Sequence, residues 1–258
     1  MRFCVLGSGS KGNSTYVESR GVAVLIDAGF SGIEVQRRLA SVGLDINAVQ
    51  ALLVTHEHGD HINGVGVLSR KLRIPVFINI LTHRASGKTL AKLHETREFE
   101  TGVSFNFHHL AIHPFTISHD TADPVGFTIA DDGLSVGYCT DTGMISRLIR
   151  RHLAGCNGLV LESNHDLEML RNGTYPPDLQ QRIRSKNGHL ANSDSLEFLA
   201  DIINPSLRHV VLAHISEANN CRDLVQSQVD TFLASRPAGV IPAITLAYQD
   251  RANVVVRL

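Results

Sequence analysis

The chain has 258 residues, enough to bury a sizeable core. Hydrophobic residues at 43% and charged residues at 19% are ordinary for a globular protein. A formal net charge of −1 excludes a global basic field, so any binding of nucleic acid has to rest on local patches.

Residues 2–6 read as a short strand and Gly7 to Gly12 as a tight glycine-rich loop. STYVE and VAVLID are the next two strands, joined by a turn at Arg20-Gly21. Residues 32–42 place Ile33, Val35, Leu39 and Val42 at a helical period, with Gly43 as the stop. ALLVTH, residues 51–56, is a buried strand that runs straight into a histidine cluster. A helix is expected over 63–72, a strand over 74–79, a helix over 82–95 and mostly strand from there to about 130. LSVGYCTDTG is a strand ending in a polar turn, MISRLIRRHL a helix and GLVLES a strand. Residues 165–186 are polar and helical in part. NSDSLEFLADII reads as a helix capped by Asp194, with Glu197 three residues on as in a capping box. HVVLAHIS is a strand, DLVQSQVDTFLA a helix, and VIPAITLAYQD and NVVVRL are strands at the end of the chain. The order predicts α/β layers around two β-sheets in one domain over 1–258.

Four cysteines, Cys4, Cys139, Cys156 and Cys221, are scattered and form no C-x-x-C pair. This spacing predicts free thiols in a reducing, cytoplasmic compartment and no tetra-cysteine zinc site. The apolar run Phe3 to Leu6 is too short for a secretory signal core. No stretch approaches the ~20 apolar residues that span a membrane, so no membrane partner is expected.

Gly7-Ser8-Gly9-Ser10-Lys11-Gly12 fits the dinucleotide fingerprint G-x-G-x-x-G, and Asp27 lies near the spacing of its acidic residue. That fingerprint has to open a helix. Here the next residues are STYVE, β-branched and aromatic, so a hairpin turn is the better reading. Ser8, Ser10, Asn13 and the loop amides are further candidates to line a cleft and meet a phosphate.

The chemistry concentrates in Thr55-His56-Glu57-His58-Gly59-Asp60-His61. His56 and His58, two apart on an extended segment, point the same way. Asp60 and His61 come after Gly59, where the chain can turn into a helix. Such a loop can hand two ligands to one metal and two to its neighbour. Imidazole with carboxylate suits zinc, manganese or iron. His83, His94, His108, His109, His113 and His152 are read as structural or surface residues; His108 and His109, adjacent on a strand, would face opposite ways.

This H-x-H-x-D-H pattern resembles the metallo-β-lactamase superfamily, over nearly the whole chain. The resemblance implies a four-layer αββα sandwich, with two mixed β-sheets flanked by helices. It implies Asp27, in LIDAG, as a support of the histidine loop rather than a ligand. It implies His119 in SHD, Asp141 in CTDTG and His214 in LAHIS as further ligands. One metal would take His56, His58, His119 and Asp141; the other would take Asp60, His61, His214 and the same, bridging Asp141. A hydroxide between the metals would attack a phosphate, its pKa lowered from ~15.7 toward ~7. Zinc or manganese are the expected ions, with iron or nickel as further candidates.

The segments GSGSKGNSTYVE, LIDAGFSG, THEHGDHINGVG, SHDTADPVGFTI, GYCTDTG, ESNHDLEMLRNGTYPPDLQQRI, NGHLANSDS and LAHISEANN are similar to the YycJ (WalJ) family of exonuclease-like proteins. That resemblance implies a metal-dependent nuclease acting 5′-to-3′ on DNA. Asn187-Gly188-His189-Leu190 resembles the position where tRNA-processing relatives place a histidine beside the scissile phosphate, which implies His189 as donor of a proton to the leaving oxygen. Glu162 is the candidate to orient that imidazole, and Asp60 is a further catalytic candidate. Asn164 is a candidate substrate contact, and His165 and Asp166 are either site-lining or structural. Arg182, Arg184 and Lys186 before His189, and Arg147, Arg150 and Arg151 after Asp141, supply local positive charge. The step of 73 positions from Asp141 to His214 leaves no room for the inserted β-CASP domain of the RNase J and polyadenylation-nuclease branch. The alternative within this fold is a small-molecule hydrolase of a thioester, a lactone or a cyclic phosphodiester.

Overall fold

The computed structural model describes residues 1–236 and 241–258. The first half builds one sheet. β1 (Arg2–Gly7), β2 (Ser14–Ser19) and β3 (Val22–Ile26) form an antiparallel meander. The chain then passes through α1 (Gly32–Ser41) to β4 (Val49–Leu53), the short α2 (Gly59–Ile62) and α3 (Val65–Leu72). β5 (Pro75–Asn79), α4 (Ile80–Ala85) and β6 (Glu95–Phe99) complete this half, and β3 to β6 run parallel.

β7 (Phe105–Phe107), β8 (Leu110–Thr116), β9 (Val125–Asp131) and β10 (Leu134–Cys139) open the second sheet as antiparallel neighbours. α5 (Arg147–Leu153) leads to β11 (Gly158–Glu162). α6 (Leu167–Asn172), α7 (Pro177–Ile183) and α8 (Asn192–Ile202) precede β12 (His209–Ala213). α9 (Arg222–Ala234) leads to β13 (Ala243–Leu246), and β14 (Val256–Arg257) returns to pair with β1. Among the described residues each sheet has seven strands, in the orders β14-β1-β2-β3-β4-β5-β6 and β13-β12-β11-β10-β9-β8-β7.

The inner faces meet through Phe3, Val5, Ile26 and Leu53 of one sheet and Phe127, Ile129, Tyr138 and Val211 of the other. The outer faces are covered by α1 and α3 on the first sheet and by α5, α8 and α9 on the second. This is the expected four-layer αββα sandwich. Central strands buried on both faces explain why VAVLI and GLVLE read as unbroken apolar runs rather than alternating ones. No helix among the described residues is long and apolar enough to cross a membrane.

Several local expectations shift. The helix expected over 82–95 is only α4: Asn79 caps it through Thr82 N, and Gly87, at φ 55°, turns the chain away. The expected capping box is absent. α8 starts after Ala191, and the Asn192 side chain instead bonds Ser163 and Asn220. In the helix expected over 63–72, Gly64 separates α2 from α3, because a Cβ there would stand 2.1 Å from Phe30 O. Ile33, counted on the apolar face of α1, is 80% exposed, while Arg38 is buried and donates to Leu6 O and Gln249 O. His108 and His109 sit in the turn between β7 and β8, not on a strand. Of the strand expected over 240–250, Val240 lies outside the described residues and only Ala243–Leu246 is β. The last strand shrinks to Val256–Arg257 because Asn253 folds back to Val5 O and Leu246 O.

Candidate metal centre

The parallel strands converge on the site with their C-terminal ends. Asp27 comes directly after β3, His214 directly after β12, and Asp141 two residues after β10. All three adopt left-handed backbone, at φ of 58°, 55° and 58° respectively. A non-glycine residue there costs about 1–2 kcal/mol, so compensating bonds are needed. Asp27 has them: its carboxylate accepts from Thr55 N at 2.9 Å, Thr55 Oγ1 at 2.8 Å and His61 Nδ1 at 2.8 Å. The next turn of chain packs closely at Gly29, where a Cβ would lie 1.6 Å from Asp60 O.

Hydrogen bonds determine which nitrogen each histidine presents. His61 Nδ1 is held by Asp27, His56 Nδ1 by Thr55 Oγ1 at 2.9 Å and His119 Nδ1 by Gly188 O at 3.3 Å. His214 Nδ1 donates to Glu162 Oε1 at 3.1 Å. This leaves Nε2 of His56 and His214 without a partner, whereas His61 Nε2 lies 3.0 Å from Asn13 Nδ2 and His119 Nε2 3.3 Å from His58 Nδ1. Such outer bonds set tautomer and ring orientation in metal-binding histidines.

The ligand atoms form four overlapping groups, His56-His58-His119, Asp60-His61-His214, His56-His61-Asp141 and Asp141-Glu162-His189-His214, each with its donors within 4.8 Å of one another. Asp141 lies between: Oδ2 is 3.4 Å from His61 Nε2 and Oδ1 is 3.4 Å from His214 Nε2. A tetrahedral ion with ~2.0–2.1 Å bonds spaces its ligands about 3.3–3.4 Å apart, which matches. His56 Nε2, Asp141 Oδ2 and His214 Nε2 are buried without any hydrogen-bond partner. Orphans of this kind call for an explanation, and a shared ion supplies one.

Charge points the same way. Asp27, Asp60, Asp141 and Glu162 converge here, and among the described residues their only ionic partners are histidines. Burial, then the neighbouring imidazoles, holds His56 well below its ordinary pKa, so it is a neutral donor. Burial pulls His61 down too, but the carboxylates of Asp141, Asp27 and Asp60 outweigh it and push it up to about 9. Burial opposes the charge on Asp60, yet the imidazoles of His61 and His214 hold its carboxyl below the usual range. The cluster is a cation-seeking cage.

Glu162 sits behind this cage, fully buried. Its Oε1 accepts from His189 Nδ1 at 2.8 Å as well as from His214, and its Oε2 accepts from Thr142 N at 2.8 Å and Leu190 N at 3.2 Å. His58, Asp60, His119, Asp141, His189 and His214 all line one cleft of about 280 Å³.

A family model described as the beta-lactamase superfamily domain matches residues 23–215. The chain is 38% identical over 252 residues to exodeoxyribonuclease YycJ of Bacillus anthracis, covering 97% of this chain and 96% of that protein. The chain belongs to the YycJ/WalJ family of the metallo-β-lactamase superfamily. Exodeoxyribonuclease WalJ of Streptococcus pneumoniae is 36% identical over 243 residues, covering 93% of this chain and 90% of that protein. The metallo-beta-lactamase fold protein YhfI of Bacillus subtilis superposes with a TM-score of 0.72 at 14% identity, covering 97% of this chain and 98% of that one.

In this YycJ/WalJ member the glycine-rich loop is the β1–β2 connection, as the hairpin reading expects. Only Ser10 of its three candidates lines the cleft. Ser8 and Asn13 are buried and face the candidate ligands instead. Ser8 Oγ accepts from His214 N and donates to Asn13 Oδ1, while Asn13 Nδ2 reaches Asp60 Oδ2 at 3.2 Å and His61 Nε2 at 3.0 Å. Asn164 lines the cleft, and its amide donates to His214 O at 2.9 Å, which holds the segment after β12. His165 is buried and Asp166 caps α6. Of the basic residues, Arg182 pairs with Asp120 and Arg150 with Asp201, while Arg147, Arg151, Arg184 and Lys186 are not ion-paired among the described residues.

Two features of the site carry little signal in the sequence: Thr55, which links Asp27 to His56, and the contact of Glu162 with His214. A threonine before such a cluster is a weak cue, and the Glu162 contact spans 52 residues, so no local pattern reveals it.

Proposed function

We propose that the chain is a dinuclear metal-dependent phosphodiesterase that degrades DNA from an end, in the 5′-to-3′ direction. It is a hydrolase of a family whose relatives are named exodeoxyribonucleases. The observation that carries the reading is His189: its Nδ1 is held by Glu162, it lines the cleft beside the ligands, and its side chain is 22% exposed.

His56, His58, His119 and Asp141 would hold one ion, and Asp60, His61, His214 and the shared Asp141 the other. Zinc or manganese suit this N/O set best, with iron or nickel as alternatives. Divalent ions there supply an activated water near neutral pH and neutralise charge on the phosphoryl oxygens. With Nδ1–H pinned to Glu162, His189 turns Nε2 into the cleft, where a proton passes from it to the departing sugar oxygen. Ser10 and the unpaired Arg147, Arg151, Arg184 and Lys186 attract the strand. We assign 1–258 to one domain without an inserted β-CASP unit, since the elements between Asp141 and His214 belong to the second sheet and its helices.

The test compares end-labelled single-stranded DNA, duplex DNA, RNA, bis-p-nitrophenyl phosphate and a thioester, each with Mn, Zn or Mg added to chelated protein. Stepwise shortening of DNA from its 5′ end is expected. Turnover of the thioester alone would overturn the reading.

A further inference from the structure

Tyr175, Leu179 and Ile183 recur every four residues in TYPPDLQQRI, and all three line the cleft that holds the metal ligands. At 3.6 residues per turn such a spacing shares one helix face. Tyr175 stands just before α7 and is held stiffly by its neighbours. Pro176 and Pro177 restrict its backbone, and Gln180 Nε2 donates to its carbonyl at 3.0 Å.

The other three tyrosines are occupied. Tyr16 is buried and bonded to Glu18; Tyr138 is buried and bonded to Thr140; Tyr248 lies between the guanidiniums of Arg222 and Arg251, 3.7 and 3.8 Å from its ring centre. Among the described residues no ring or guanidinium packs on Tyr175, which lines the cleft. An aromatic face left free beside Leu179 and Ile183, in a cleft whose other side chains are polar or charged except Ile215, is an apolar platform for a flat ligand.

The platform is tied to the reacting groups. Arg182 Nε donates to Asp120 Oδ2 at 2.6 Å, next to the ligand His119. Ile183 O accepts from His189 N at 2.9 Å, and Gly188, between them, cannot carry a Cβ, which would stand 2.1 Å from Ile183 O. The platform and His189 are therefore joined by a backbone hydrogen bond across a closely packed turn.

We propose that Tyr175, Leu179 and Ile183 form a nucleobase subsite, on which a base next to the scissile phosphate stacks. This rests on the phosphodiesterase reading and names what its cleft recognises besides phosphate. Every base offers a π face, so the subsite is indifferent to sequence.

The test uses the metal-loaded full chain and two single-stranded DNAs, one natural and one with tetrahydrofuran abasic residues at the first two positions of its 5′ end. On the natural strand Tyr175→Ala loses about 10- to 100-fold in kcat/KM, mostly through KM, and Tyr175→Phe stays near wild type. On the abasic strand Tyr175→Ala and wild type cleave equally, and the metal content and Tm of Tyr175→Ala match wild type. Equal losses on both strands, or no loss on either, overturn the subsite while leaving the phosphodiesterase reading intact. If wild type cleaves neither strand, that reading fails and the subsite falls with it.

Discussion

Replacing Glu162 with Gln keeps the shape of a fully buried side chain and removes its charge. The carboxylate accepts four bonds, from His189 Nδ1, His214 Nδ1, Thr142 N and Leu190 N. A glutamine has one acceptor oxygen, and its amide N–H groups must face two of these donors. Backbone N–H groups cannot move, so the oxygen stays on Thr142 and Leu190, and the NH2 confronts both imidazoles. His214 then shifts its proton to Nε2, the atom that its candidate ligand group uses, so that its Nδ1 can accept. His189 loses the carboxylate that pairs with the doubly protonated ring, the form that keeps Nδ1–H and gives a proton from Nε2. A bond to a charged group contributes about 1.5–3 kcal/mol, and removing a buried charge offsets part of each loss. Loss of such a support costs ~10–100-fold in metal affinity. Losing the proton donor costs ~10²–10⁴ in rate. Glu162→Gln should therefore bind its second equivalent of Mn or Zn at least ~10-fold more weakly by titration calorimetry. Its kcat at saturating metal should still fall at least ~100-fold. A variant that binds both ions like wild type and keeps its kcat would refute this account of Glu162. Outright loss of an ion at saturating metal would instead make Glu162 a ligand.

Asn13→Ala removes the amide that reaches Asp60 and His61 and the acceptor for Ser8; one of two metal equivalents should weaken ~10–100-fold in a titration while the other is unchanged. His189→Ala should keep its full metal content by mass spectrometry yet lose ~10²–10⁴ in kcat on DNA, and far less on bis-p-nitrophenyl phosphate, whose leaving group needs no proton. Of the four thiols only Cys221 is exposed. Burial pushes Cys4 up to about 12 and Cys156 to about 11, and raises Cys139 as well. All three therefore stay protonated at neutral pH, and a thiol reagent at pH 8 should label one cysteine promptly and the rest only on unfolding.

Much of this protein is legible in one dimension. The run from Thr55 to His61 holds four donors because a strand end and a helix start meet there, and such a junction is local. Buried strands such as VAVLI and GLVLE announce themselves through unbroken apolar runs. Where the local pattern misleads, the deciding force is tertiary. Residues 86–94 have helical composition, but Gly87 takes a left-handed turn and β6 is drawn to the edge of β5. Asp194 looks like a cap, yet α8 begins two residues earlier because Asn192 belongs to a buried network with Ser163 and Asn220.

The order of amino acids alone specifies the layered α/β class, the histidine cluster and, through its resemblance, the family and a set of distant candidate partners. How those partners meet depends on packing: Glu162 bonds His214 as well as His189, Ser8 and Asn13 face the candidate ligands rather than the open cleft, and among the described residues Tyr175 is the free tyrosine in that cleft. A ligand's identity resides in its side chain. Its tautomer, its neighbours and its exposure depend on contacts such as Asn13 with Asp60, 47 residues apart, which exist only once the two sheets have packed.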